Sequence, residues 1–174
     1  AAWELDVFGR IARQIESDEA NFEASEEDLR DVQVSLLAEV AGAYISVRAL
    51  QMQLQSAEKN LASQKNILEL TRSRAANGIS SDLDLARSES LYAASEAALP
   101  PLRVSLSQAI YTLGVLIGKN PTTLQAELTA PGPIPVPPSE VTVGVPADLL
   151  RQRPDIRAAE RRLAAQTARV GVAT

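Results

Sequence analysis

Residues 8–75 contain no proline and, past Gly9, a single glycine, Gly42. Those two residue types interrupt helices most readily, so an unbroken stretch of this length reads as one helix. Apolar or small residues recur every seventh position at Ile15, Phe22, Leu29, Leu36, Ala43, Leu50 and Ala57. A second file follows at Val40, Val47, Leu54, Leu61 and Leu68. Together the files make a seam with a repeat near 3.5 residues, the period of helices packed as coiled coils. At 1.5 Å per residue the helix is roughly 100 Å long, and few compact domains of 174 residues have room for it. The expected fold is mainly α: a long antiparallel helical hairpin, elongated, with little or no β.

Composition narrows the chemistry. Cys and His are both absent, which removes the commonest transition-metal ligands, the thiol nucleophile and the usual general base. No catalytic residue, metal or cofactor is expected. A net charge of -5 leaves no basic stripe to displace counterions from a phosphate backbone, so nucleic acid is not an expected partner. No run of about 18 apolar residues suggests a transmembrane helix. A start at Ala1-Ala2-Trp3 without Met reads as a piece of a longer protein.

Along the chain, Trp3 is either an aromatic plug over a helix start or a ring at a membrane–water boundary, and Asp6 sits near the positive end of the first helix dipole. Residues 16–31 carry Glu16, Asp18, Glu19, Glu23, Glu26, Glu27, Asp28 and Asp31 against Arg30 alone. Such a run is a solvated face or the lining of an aqueous passage that favours cations. Val34, Leu37, Ala41, Tyr44 and Ile45 lie outside the main seam, and a helix so apolar around its circumference needs neighbours on two sides.

Arg72 and Arg74 suit the end of this helix, and Asn77-Gly78 accepts a left-handed cap. Ser81 with Asp84 three residues on has the pattern of a capping box, so 77–81 is a tight turn into an antiparallel helix. That second helix repeats the file at Leu85, Tyr92, Leu99, Leu106 and Leu113, is kinked or broken at Pro100-Pro101, and stops near residues 116–118. Pro121, Pro131, Pro133, Pro135, Pro137 and Pro138 then imply extended or irregular chain, with a short strand at 141–143. This stretch is either a linker or an ordered side domain. A short helical turn through Leu149 and Leu150 and a last helix from Pro154-Asp155 close the chain. In the last helix Ile156, Leu163 and Val170 stand seven apart, while Ala158, Ala159, Ala164, Ala165, Ala168 and Gly171 permit close approach of another helix. By length, the second and last helices stack as a broken rod beside the first.

Two stretches carry a resemblance. The opening Trp3-Glu4-Leu5-Asp6-Val7-Phe8-Gly9-Arg10 is one. The longer is Gly144-Val145-Pro146-Ala147-Asp148-Leu149-Leu150 followed by Arg153-Pro154-Asp155-Ile156, Ala159-Glu160 and Leu163. Both look like the signatures of the TolC family of outer-membrane channels, nearest to the OprM/NodT-type lipoproteins of tripartite efflux pumps of the RND type. Asn77-Gly78-Ile79 with Asp84 is similar to that family's hairpin tip.

The resemblance implies a periplasmic hairpin over 1–118, an equatorial segment over 119–146 and a helix over 147–174 returning toward the outer membrane. It implies a homotrimer in the intact protein, a periplasmic adaptor (membrane fusion protein) and an inner-membrane pump as partners, and passive efflux as the activity. Asn77, Gly78, Ile79 and Ser80 would meet the adaptor, and Asp84 would join a ring of carboxylates at the closed end. Without a family, Gly78 serves its backbone angle and Asp84 caps with Ser81. Arg153 and Asp155 are placed to pair across a helix break. Barrel strands, the lipid-bearing Cys and the second structural repeat of such a subunit are missing, so the piece is expected to be soluble and unable to form the pore. The rival reading is a structural coiled-coil scaffold that conducts nothing.

Overall fold

A computed structural model of the chain describes residues 6, 9–138 and 146–173, without the side chains of 146–148 and 173. Trp3, Gly144, Val145 and the strand expected at 141–143 lie outside the described residues, as do the side chains of Pro146 and Asp148. Among the described residues six helices follow one another: α1 (Arg10–Ala76), α2 (Asp82–Ala97), α3 (Leu99–Leu116), α4 (Gln125–Leu128), α5 (Pro146–Gln152) and α6 (Pro154–Ala173). Among the described residues there is no strand. The single helix expected from the Pro-free stretch is α1, at 67 residues.

Packing divides the chain into two units, and α1 contributes to both. In the unit of residues 39–136, α2 and α3 run antiparallel to α1. Arg72 pairs with Glu89 at 3.0 Å, and fourteen residues back along α1, Glu58 pairs with Arg103 at 3.3 Å, fourteen residues further along the returning chain. The register on α1 therefore survives the interruption between α2 and α3. That interruption falls at Ala98, because Pro100 and Pro101 have no N–H to continue α2 but suit the first turn of a new helix. Val47, Ile110, Leu113, Leu124 and Leu128 form the core of this unit, flanked by Val40, Ala43, Tyr44, Leu106 and Ala109. Each of the larger side chains stabilises the fold by about 1.5–3 kcal/mol through burial.

The Pro-rich stretch corrects the expectation of helix-free chain. Residues 122–130 hold no proline, and α4 forms there. Asn120 Oδ1 accepts from the Thr122 amide at 3.1 Å and hydroxyl at 2.9 Å, which turns the chain after α3. Residues 120–130 are packed onto this unit. Leu124 and Leu128 enter the core, and the Gln51 side chain donates to the Leu128 carbonyl at 2.6 Å. Gly114 is required where the returning chain crosses α3, since a Cβ there would sit 3.0 Å from Pro121 Cα.

The other unit joins residues 1–38 to 137–174. Here the seam corrects the expected one. Ile15, Phe22, Leu29 and Leu36 are exposed, and α1 instead buries Ser17, Ala20, Ala24 and Glu27. On α6, Leu163 and Val170 are exposed while Ala158, Ala165 and Ala168 are buried. Small side chains bring two helix backbones closest together, so within this unit they displace the larger apolar residues from the seam.

Candidate functional site

The turn between α1 and α2 is built by backbone chemistry. Gly78 has φ +71°, a left-handed angle that glycine adopts without strain. Its amide donates to the Ala75 carbonyl at 2.9 Å, and the Ile79 amide donates to the Arg74 carbonyl at 2.8 Å, the paired bonds of a Schellman cap. The Asn77 side chain adds a bond to the Ser73 carbonyl at 2.7 Å. In such caps the residue after the glycine usually packs on the residue five positions earlier. Here that residue is the charged Arg74, and Ile79 is left 75% exposed. The tip therefore presents an apolar side chain on a turn fixed by hydrogen bonds.

Ser81 begins α2. Its hydroxyl oxygen accepts from the Asp84 amide at 3.2 Å, and its hydroxyl donates to the Asp84 carboxylate at 2.7 Å. Hydrogen bonds from the Ser81 hydroxyl and amide, with the nearby Arg87 charge, hold the Asp84 carboxyl below its usual 3.8. The carboxylate is exposed and ionised at neutral pH. Capping and a charge presented at the tip thus coexist in one side chain.

The other residues singled out in the sequence also act at helix ends. Asp6 accepts from the Ile11 amide at 3.1 Å and the Ala12 amide at 2.9 Å, and these bonds keep its carboxyl below 3.8. Gly9, at φ +77°, turns the chain into Arg10, the first residue of α1. At the far end Pro154 opens α6, and Arg153 grips Asp155 through two bonds of 3.1 and 2.6 Å. Through that contact the Asp155 carboxyl is lowered and the Arg153 guanidinium is held more firmly protonated. Leu149 lies in α5 with Pro146 and Asp148. The described signature positions 6, 9, 154 and 155 are helix-initiation devices.

The acidic run of α1 finds partners that its own sequence neighbourhood does not show. Glu27 pairs with Arg157 at 2.6 Å and with Arg30, Glu23 with Arg161 at 3.3 Å, and Asp28 with Arg162 at 2.7 and 2.5 Å. These acids lie more than 120 residues from their α6 partners. The available signal was the four-residue spacing of Arg153, Arg157 and Arg161, which matches that of Asp31, Glu27 and Glu23. Among the described residues no acidic cluster is placed to hold a metal ion, and no helix is long and apolar enough to cross a membrane.

The family model described as outer membrane efflux protein matches residues 1–119. Nodulation protein T of Rhizobium leguminosarum bv. trifolii is 34% identical over 99% of this chain, and the probable efflux pump outer membrane protein SepC of Pseudomonas putida 37% over 99%. The chain spans 37% and 35% of those proteins. The solved outer-membrane channel OprN superposes with a TM-score of 0.90 at 44% identity, over 98% of this chain and 38% of that one. On the extent of the family match and these identities, the chain belongs to the outer membrane efflux protein family.

Proposed function

We propose that these residues form periplasmic staves in the wall of a trimeric outer-membrane channel, the passive exit duct of a tripartite efflux pump. One observation supports this beyond family membership. The seven-residue file Ile15, Phe22, Leu29 and Leu36 on α1, and Leu163 and Val170 on α6, stay exposed after each helix has found its partner within the chain. Ordered rows of large apolar side chains on helices suit further helices alongside, as in a tube built of staves.

In this reading residues 1–118 carry the hairpin, 119–146 the equatorial segment, and 147–174 the return toward the membrane. The molecule sits in the outer membrane and periplasm of a Gram-negative cell. Asn77, Gly78, Ile79 and Ser80 meet a periplasmic adaptor, which links the duct to an inner-membrane pump, and Asp84 adds its charge to a carboxylate ring at the closed end.

The test is dye efflux in a strain lacking the full-length protein. Reintroducing it should restore export, and Ile79→Asp should abolish export while the protein still reaches the outer membrane as an oligomer. Unchanged dye retention on deletion and on reintroduction would favour a non-conducting scaffold.

A further inference from the structure

The seam between α1 and α6 does little to fix how far one helix is slid along the other. Its buried residues are Ser17, Ala20 and Ala24 on one side and Ala158, Ala165 and Ala168 on the other. Side chains of nearly equal small size make shallow knobs, and a shift of one helical turn sets one small residue against another. Glu27 interrupts this uniformity: its side chain is only 6% exposed, and it receives both Arg30 and Arg157.

The charges on either side of Glu27 keep one antiparallel register. Four residues beyond Arg157, Arg161 meets Glu23, four residues before Glu27. Ten residues further along α6, Gly171 lies against the Arg13 side chain, ten residues before Glu23. In the other direction Asp31 lies near enough to Arg153 to act on it electrostatically. Asp28 and Arg162 add a rung outside this series.

We propose that Glu27 and the arginine ladder of α6 set the axial register of α6 on α1, with Glu27 as the positioning residue. Its worth lies in discrimination between registers. Exposed pairs such as Glu23 with Arg161 contribute little net stability, whereas a buried charge that fits only one alignment penalises the others. The competitor that Glu27 opposes is a slip of two turns, seven residues, which brings Glu27 level with Ala164 and Arg161 level with Arg30. It leaves the buried Glu27 without a cation across the seam and sets two arginines against each other.

Paired cysteines read the register directly, in a full-length protein freed of other reactive thiols. Ala20→Cys with Ala165→Cys reports the observed alignment, and Ala24→Cys with Ala168→Cys the slipped one. With the ladder intact the first pair should cross-link in preference to the second. With Glu27→Gln and Arg157→Gln the ratio of first to second should fall about tenfold. If that variant does not accumulate, Arg157→Met with Arg161→Met removes two rungs and leaves Glu27 with Arg30, and the ratio should fall likewise. An unchanged ratio would show that the small-residue seam sets the register and would overturn the proposal. Failure of the first pair with the ladder intact would also overturn it.

Discussion

Gly132 lies directly against the guanidinium of Arg48: a Cβ on the glycine would fall 2.7 Å from Arg48 Cζ and Nη1. On α1 the same guanidinium lies 5.0 Å from the centre of the Tyr44 ring and donates to the Tyr44 hydroxyl through Nε at 3.0 Å and Nη2 at 2.9 Å. Nη1 donates to Gln51 Oε1 at 3.0 Å and to the Ala130 carbonyl at 3.2 Å. One planar cation therefore ties the Pro-rich segment to α1, and the chain passes over it where no side chain intervenes.

Gly132→Ala should consequently act through Arg48. The added methyl displaces the guanidinium and loosens its bond to Ala130, so unfolding should become easier by about 1 kcal/mol. In an Arg48→Met background the same substitution should have a smaller effect. A double-mutant cycle on urea midpoints measures the coupling, and additive effects would show that Gly132 matters for another reason.

The hydroxyls of Ser17 and Ser88 are buried without a hydrogen-bond partner. A buried polar group left unpaired is destabilising, so Ser17→Ala and Ser88→Ala should each stabilise the fold by about 1 kcal/mol. Thermal unfolding of the two variants checks this. A lowered midpoint would mean that the hydroxyls are satisfied in solution.

The helix boundaries were legible because the residues that set them act locally. Gly78 needs its left-handed angle, Ser81 caps its own helix, Pro100 cannot continue α2, and Pro154 suits a first turn. The interior of α1 was legible only in part. Val47 and Leu68 are buried as their spacing implied, but the equally regular Ile15, Phe22 and Leu29 are exposed. Periodicity shows that a helix face has a partner without showing which one, and a seam of Ala and Ser leaves almost no hydropathy signal. The tie between Gln51 and the Leu128 carbonyl spans 77 residues and left no local trace. At the tip, Gly78 and the cap formed by Ser81 with Asp84 were readable, while the exposure of Ile79 depends on Arg74 standing where an apolar contact usually does.

The exposed file should matter more to assembly than to folding. Phe22, 66% exposed, and Leu29, 60% exposed, have little to lose within the chain, so Phe22→Ser and Leu29→Ser should shift its stability by no more than about 0.5 kcal/mol. In the full-length protein they should sharply reduce the oligomer seen by size exclusion with light scattering. Full oligomer yield in the double variant would argue against a neighbouring helix on this file.

Asp84 gives a pH dependence of known sign. Its carboxyl titrates below 3.8 in the folded chain, so its contribution is present above the unfolded value and is lost as pH falls through the folded one. At pH 7 the wild type should be more stable than Asp84→Asn, and the gap should close as pH drops below about 3.8. Asp6 and Asp155 are also lowered, but they titrate alike in both proteins, so the difference isolates Asp84. A gap that persists to low pH would assign the effect to the amide's shape rather than to charge. In bilayers, Asp84→Asn should raise single-channel conductance or weaken cation block, and an unaltered record would remove Asp84 from the proposed ring.

Cryo-electron microscopy of the full-length protein tests the proposed wall most directly. Three copies should stand around one axis, with Ile15, Phe22, Leu29, Leu163 and Val170 covered by flanking helices and Ile79 uncovered at the helical end. Single copies with those rows facing solvent, or an assembly enclosing no passage, would contradict it.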